Sequence, residues 1–248
     1  MLIFASDFDR TLYFYNRDPQ VTEEDIEAIR DFRSHGNLFG ICTGRVYEDM
    51  ISKIRDFIDV DFVISSSGAQ IFDGDGKTIH ITTLDWELAR SLVEYCEELG
   101  ALCLVHMDGQ PFGYRNDFYV DSHRIHSMDE CEGRNITGVS FRLPPELAER
   151  ITKVNDDLLA HFKGSINSFS NVNTIDIVAA GVSKGTGINF CKSYFHADTS
   201  CAIGDSLNDL PMLKAADLAF TFENVSPLVK AIADVIVKNE AEALYSCR

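Results

Sequence analysis

The sequence predicts an α/β protein: a doubly wound, parallel-sheet core with a mixed α+β domain inserted into it. Three observations carry this. Short apolar runs ending in polar or acidic residues alternate with helical periodicity over residues 1–83. That alternation gives way over residues 84–178 to a helix followed by several strand-like runs. It then resumes, so that 1–83 and 179–248 form one domain and 84–178 a second, inserted one.

Residues 2–6 are an apolar run that meets acid at Asp7, as expected of a buried strand delivering a carboxylate at its C-terminal end. Thr22 offers an N-cap to a helix over 23–34, where Ile26, Ile29 and Phe32 recur at helical spacing. A strand at 37–42 leads into Thr43-Gly44-Arg45, a helix is expected over 46–57, and a third strand over 62–65. Residues 70–72 and 77–82 flank Asp73-Gly74-Asp75-Gly76 as a β-hairpin. In the insert, Asp85 caps a helix over 86–99 that Gly100 stops. Strands are expected at 101–107, 118–120 and 138–143, then a helix from Pro144-Pro145 to residue 162, then strands at 165–169 and 174–178. The core resumes with helices over 184–195, 210–216 and 227–233 and strands over 200–204, 218–222 and 235–237.

Composition narrows the function. Of 248 residues, 45% are apolar and 25% charged, which excludes disordered and low-complexity classes. The net charge of −17 repels phosphate backbones and anionic lipid heads, so neither nucleic acid nor membrane is an expected partner. A small anion can bind only where Lys, Arg or a metal reverses the field. The seven cysteines are odd in number, form no CxxC and sit partly in apolar runs, as expected of buried reduced thiols in a cytoplasmic protein. The first residues lack a basic flank, so no signal peptide is expected, and no uncharged apolar stretch of about 18 residues predicts a membrane span.

Two carboxylates two residues apart at a strand end can hold a hard cation and attack an electrophile. The spacing alone discriminates little. The chain has 24 Asp, about two such pairs are expected by chance, and three occur: Asp7/Asp9, Asp59/Asp61 and Asp73/Asp75. The second reads as a polar loop and the third as a hairpin turn. Only the first follows a buried strand that should end in the ligand-binding crevice of a parallel sheet. Gly204-Asp205-Ser206-Leu207-Asn208-Asp209 follows another such strand, Thr43-Gly44 a third, and Lys184 opens a helix beside Gly185. Singly, Thr43 is more often a turn residue, Lys184 is more often a solvated side chain, and Asp205 can serve as a helix cap. Their joint order along the chain sets them apart.

Asp7-x-Asp9-x-Thr11, then Thr43, then Lys184, then Gly204-Asp205-Ser206-x-Asn208-Asp209 resembles the four motifs of the haloacid dehalogenase (HAD) superfamily of phosphohydrolases. With Thr43-Gly44-Arg45, Ser66-Ser67-Gly68-Ala69, Val182-Ser183-Lys184-Gly185 and an insert between the second and third motifs, the chain is similar to the Cof-type branch with a C2 cap. The resemblance covers nearly the whole chain, the cap by position and length, and implies a Rossmann-like core. Three positions depart from the family pattern: Arg10 replaces a Gly, Ser67 stands where Asn is frequent, and Glu223-Asn224-Val225 replaces a Gly-Asn-Ala run.

The resemblance implies a Mg²⁺-dependent phosphomonoesterase for small phosphorylated metabolites such as sugar phosphates, working through an aspartyl-phosphate on Asp7. Asp9 then serves as general acid and base, and Asp7, Asp9 and Asp205, supported by Asp209, hold the metal. Thr43 and Lys184 complete the catalytic set, with Thr11, Gly44, Arg45 and Asn208 around the substrate. Arg45 reads equally as a structural ion pair. The cap is expected to close over the site, with His106, Asp108, Tyr114, Arg115, His123 and Arg124 as candidate substrate readers. His123 and His126 lack a helical pattern and a partner, so no metal is expected there. Two alternatives stand beside the esterase: a phosphomutase of a related capped branch, and a non-catalytic binding protein in which Arg10 disables the first loop.

Overall fold

The structure, a computed structural model describing residues 1–116 and 123–247, contains two sheets. The core opens with β1 (Leu2–Ser6), α1 (Glu23–Ser34), β2 (Leu38–Cys42), α2 (Tyr47–Ile51), β3 (Phe62–Ser65), β4 (Gln70–Asp73) and β5 (Thr78–Ile81). The insert holds α3 (Trp86–Glu98), β6 (Leu102–Met107), β7 (Gln110–Tyr114), β8 (His123–Ile125), β9 (Ile136–Arg142), α4 (Pro145–Ala148), α5 (Ile151–His161), β10 (Ile166–Asn171) and β11 (Thr174–Ala179). The core closes with α6 (Lys184–Tyr194), β12 (Thr199–Ile203), α7 (Leu210–Ala215), β13 (Leu218–Phe222), α8 (Pro227–Lys230), β14 (Val235–Val237) and α9 (Glu240–Ser246).

The core sheet runs β14-β13-β12-β1-β2-β3-β4-β5. Its first six strands are parallel, and β4 and β5 add an antiparallel edge. Both faces are covered, as continuous apolar strands require. Phe4, Phe39, Ile41 and Phe220 pack with Ile29 and Phe32 of α1 and Leu244 of α9. Ile3, Ala5, Cys42 and Ala202 pack on the other face with Ile188 of α6 and Met212 of α7. Each large side chain so buried contributes about 1.5–3 kcal/mol.

Strand order reverses at β1: the chain proceeds to β2 and β3 on one side and returns to β12 on the other. Ser6 is level with Ile203 in β12 and with Ile41 in β2. The residues just beyond, Asp7, Gly204-Asp205 and Thr43, therefore emerge side by side at the topological switch point. The Asp7 and Thr43 N–H groups still bond Ile203 O (3.0 Å) and Ile64 O (2.8 Å), which fixes where these loops begin.

The insert is a six-stranded sheet, β10-β11-β9-β6-β7-β8. Alternation assigns its faces. Cys103, Val105, Val139, Phe141, Ile175 and Ile177 pack into one apolar cluster with Leu92 and Cys96 of α3 and Leu158 of α5. The residues between them, among them Leu104, His106, Ser140 and Asp176, face a cavity shared with the core.

The predicted fold class stands, with local differences, among them β8 and α9, which were not expected. Beyond Ile51 the expected helix over 46–57 continues as irregular turns that mix bonds three back (Ile54 N to Ile51 O, 3.2 Å) and four back (Arg55 N to Ile51 O, 3.0 Å). Met50, Ile54 and Ile58 still keep a buried stripe. The expected helix ending near residue 162 divides into α4 and α5 at Arg150, whose φ of −116° leaves the helical region. Strand β7 was not expected, although Asp108 (φ 52°) and Gly109 (φ 77°) form a hairpin turn of the Asp-Gly kind before it. The strand expected at 118–120 lies outside the described residues. All seven cysteines are free and buried. No helix among the described residues is long and apolar enough to cross a membrane.

Helix α9 buries an acid. Glu240 is 1% exposed, and its Oε2 lies 3.1 Å from Ser6 Oγ, which also donates to Asp7 O at 2.7 Å. A hydroxyl has one hydrogen and cannot fully serve both acceptors, and Glu240 Oε1 is buried without any partner. Burial, then the charge of Asp25, holds its carboxyl well above the usual range. An acid with a raised folded-state pKa leaves stability intact below its unfolded pKa and lowers it as pH rises. Glu240→Gln is therefore expected to raise Tm by roughly 5 °C near pH 8, a gain on the order of 2 kcal/mol that vanishes near pH 4. Calorimetry at the two pH values checks this; an unchanged Tm near pH 8 contradicts it.

Candidate active site

Lys184 is the hub of the switch point. Ser183 caps α6, its Oγ accepting the Thr186 N–H at 3.1 Å. Gly185 lets the helix approach α7 closely: a Cβ there would lie 2.3 Å from Pro211 O. This delivers Lys184, 1% exposed, into the floor of the crevice, where Nζ donates to Asp7 Oδ1 (2.5 Å) and Asp209 Oδ1 (2.6 Å). The other oxygen of Asp209 accepts the Asp205 and Ser206 N–H groups (3.1 and 3.0 Å). Asp209 thus holds both the lysine and the loop that carries Asp205.

Asp7, Asp205 and Asp209 each offer a carboxylate oxygen within 4.8 Å of the others. Burial, then repulsion from Asp209, pushes Asp7 up to about 8, with Lys184 pulling the other way. Asp205 is raised by the same two causes. Burial opposes the charge on Lys184, but Asp209 and Asp7 outweigh it and keep the ammonium protonated. The cluster is short of positive charge, and Asp205 Oδ1 is buried without a partner. A hard divalent cation fits both facts: it supplies the charge and takes the open oxygen.

Arg45 forks onto Asp9, with Nε to Oδ2 and Nη2 to Oδ1 both at 2.9 Å, and its Nη1 donates to Asp49. It forms the ion pair of one sequence reading and also lines the main cavity. Thr43 is buried, its Oγ1 accepting the Arg45 N–H at 3.1 Å. Asn208 lines the main cavity, and its Oδ1 accepts the Ser206 hydroxyl at 2.5 Å. Thr11 does not line that cavity: it is buried, its hydroxyl has no partner, and it borders a separate cavity of about 460 Å³ that Asp205 also lines.

Arg10 has φ of +66°, the left-handed region, which explains why Gly is usual there. Its Nε lies 3.5 Å from Asp205 Oδ2 and its Nη2 3.4 Å from Asn171 Oδ1 of β10, so it links the core to the insert. Arg10→Gly relieves about 1 kcal/mol of strain but removes the contacts to Asp205 and Asn171, so it is expected to alter substrate preference more than Tm. Melting curves and relative kcat/KM over a substrate panel check this; unchanged relative kinetics contradict it.

The main cavity, about 380 Å³, lies between the two sheets and is lined by Asp7, Asp9, Thr43, Gly44 and Arg45 from the core and by His106, Ser140, Asn171 and Asp176 from the insert. Of the six insert residues that sequence reasoning nominated, His106 alone lines it. Asp108 pairs with Arg134 at 2.7 Å, Arg115 bonds His126 O at 2.9 Å, Tyr114 packs in the insert's apolar cluster, His123 stacks on Phe112 and Arg124 lies in β8. Sequence reasoning missed Ser140 and Asp176. The signal was present: each is a polar residue flanked by apolar ones (Val139 and Phe141, Ile175 and Ile177) in a strand otherwise patterned for burial. Burial lowers His106 to about 4, keeping it neutral, and raises Asp176 to about 6 against the Ser140 hydrogen bond.

Acids gathered at the switch point of a doubly wound sheet, under an inserted domain that closes a cavity over them, define a capped hydrolase. Residues 4–244 match the family of haloacid dehalogenase-like hydrolases, and the chain belongs to that family. It is 25% identical to the 5-amino-6-(5-phospho-D-ribitylamino)uracil phosphatase YwtE of Bacillus subtilis, over 98% of this chain and 94% of that one. It is likewise 25% identical to the enzyme of the same activity YbjI of Escherichia coli, covering 93% and 88%. In fold it is similar to the HAD phosphatase BT1666 of Bacteroides thetaiotaomicron, with a TM-score of 0.79, 22% identity and coverage of 99% and 92%. The subclass IIB sugar phosphatase BT4131 superposes with a TM-score of 0.81 at 19% identity, over 98% and 95%.

Proposed function

We propose that the protein is a Mg²⁺-dependent phosphomonoesterase that hydrolyses small phosphorylated metabolites through an aspartyl-phosphate on Asp7. One observation carries the reading: a buried lysine joins Asp7, which lines the cavity between the two sheets, to Asp209, beside Asp205. Asp7, Asp205 and the Asp9 backbone carbonyl would hold a Mg²⁺ ion, which would supply charge neutralisation at the phosphoryl group.

The chain's own residues do the rest. Lys184 orients Asp7 through Oδ1, leaving Oδ2 to attack phosphorus in line. Thr43 and the Gly44 N–H, at the cavity wall, hydrogen-bond phosphoryl oxygens. Asp9, held in a fixed plane by the Arg45 fork, gives a proton to the leaving oxygen and later takes one from the attacking water. Asn208 contacts the phosphate, and Asp209 acts by holding Lys184 and the Asp205 loop. The insert excludes bulk water and meets the leaving group. Sugar phosphates are the favoured substrates: the fold neighbour named above as a sugar phosphatase and the two relatives that act on a phosphorylated ribityl compound all accept hydroxylated leaving groups.

Incubation with p-nitrophenyl phosphate tests this. Turnover is expected with Mg²⁺, with loss in EDTA and recovery on adding excess Mg²⁺. Absence of turnover with Mg²⁺ on this substrate and on a panel of sugar phosphates contradicts the reading.

A further inference from the structure

A chain of four hydrogen-bonding groups, three on the insert and Ser66 on the core, runs between the two sheets in one proton order. Ser140 Oγ lies 2.5 Å from Asp176 Oδ1 and 3.0 Å from His106 Nε2. His106 Nδ1 lies 3.2 Å from Ser66 Oγ, on the core loop that follows β3. An ionised carboxylate only accepts, so the single Ser140 hydrogen goes to Asp176. Ser140 must then accept from His106, which places the imidazole hydrogen on Nε2. The bare Nδ1 in turn accepts the Ser66 hydroxyl. Every proton therefore points the same way, from the core loop through His106 and Ser140 to Asp176.

The relay ends in the cavity. Asp176 Oδ2 lies so close to the phosphate-side loop that a Cβ on Gly44 would come within 2.6 Å of it. Asp176 and Ser140 are level across β11 and β9, and Ser140 is level with Leu104, two residues before His106 in β6. His106 and Ser140 are both at least 96% buried, so neither side chain can swing out to solvent without unpairing the other. Arg45 is bonded to both Asp9 and Asp49, and Lys53 Nζ also lies 3.0 Å from Asp49 Oδ1. A hydroxyl on the leaving group that reaches Asp176 meets a fixed acceptor.

We propose that His106 is a positioning residue: through Ser140 it fixes Asp176 as the acceptor for a leaving-group hydroxyl, so that the cap selects phosphate monoesters whose leaving group carries a hydroxyl there. The inference rests on the phosphatase reading above and adds its selectivity. The Ser66 link makes that acceptor depend on the cap being seated on the core.

Selectivity between two substrates tests it. Wild-type protein is assayed with Mg²⁺ on p-nitrophenyl phosphate, whose leaving group carries no hydroxyl donor, and on hexose and polyol monophosphates. His106→Leu is expected to raise KM for the best hydroxylated substrate roughly 10-fold, while kcat/KM for p-nitrophenyl phosphate falls less than about 3-fold. Ser140→Ala should reproduce that split. His106→Gln, whose Nε2 can still donate to Ser140, should restore most of the selectivity, and these two variants carry the test if the leucine variant does not fold. Equal losses on both substrates, or an unchanged KM for the hydroxylated one, overturn the proposal. Wild-type turnover of p-nitrophenyl phosphate but of no hydroxylated monoester overturns it and leaves the phosphatase reading intact. No turnover of any substrate overturns both.

Discussion

Asp7→Asn is expected to reduce phosphatase turnover by roughly four orders of magnitude or more, the size of effect seen when a nucleophile that acts as a unit with its partners is removed. The amide keeps the shape and the contact with Lys184 but cannot form an acyl phosphate. Loss of folding would mimic this result, and electrostatics separates the two. Asp7 is crowded by Asp209, Asp205 and Asp9, and its ionisation in the metal-free chain is opposed by burial. A group whose folded-state pKa lies above its unfolded value lowers stability as pH rises between the two. Asn removes that burden, so the variant should melt no lower than the wild type in EDTA at neutral pH. Calorimetry beside the assay checks both halves. An inactive variant that is also unfolded leaves the loss unexplained by chemistry, and an active one contradicts the role of Asp7.

Lys184→Met should lose both activity and stability. The methionine fills the same space but leaves Asp7 Oδ1 and Asp209 Oδ1 without their buried partner. Removing one member of a buried ion pair costs about 3–5 kcal/mol, which corresponds to a fall in Tm of roughly 10 °C or more. Turnover should drop by about 10²–10³-fold because the phosphoryl charge loses a fixed cation. Added Mg²⁺ should recover part of the stability, since a metal on Asp7 and Asp205 offsets some of the repulsion. Thermal melts in EDTA and in Mg²⁺ read this directly. A variant as stable as the wild type in EDTA contradicts the view that Lys184 holds the acids together.

Much of the fold was legible because its signals are local. A strand that is apolar on both faces and stops at an acid, such as Leu2–Ser6 before Asp7, announces a parallel core strand and its functional end. Thr22 and Asp85 announce their helices as caps, and both side chains accept the expected backbone N–H. What escaped depended on contacts between distant segments. Arg45 could not be assigned between substrate and ion pair until Asp9 and Asp49 were seen on either side of it. The placement of Thr11 away from the cavity follows from how the first loop turns after Arg10, which the motif spacing does not encode. In the insert, conspicuous polar residues such as Arg115 and Asp108 form surface pairs, while the cavity is lined by inconspicuous ones in apolar strands. Which face of a strand looks at a cavity is decided by what packs on the other face, here α3 and α5.

The central claim is a covalent phosphoryl group on Asp7. Rapid acid quench of the Mg²⁺-loaded protein with a ³²P-labelled substrate, followed by peptide mapping, measures it most directly. The account expects acid-stable, hydroxylamine-labile label on the peptide carrying Asp7, appearing and decaying within a turnover and absent from Asp7→Asn. Steady turnover with no protein-bound label at any quench time, or label on a peptide lacking Asp7, contradicts it.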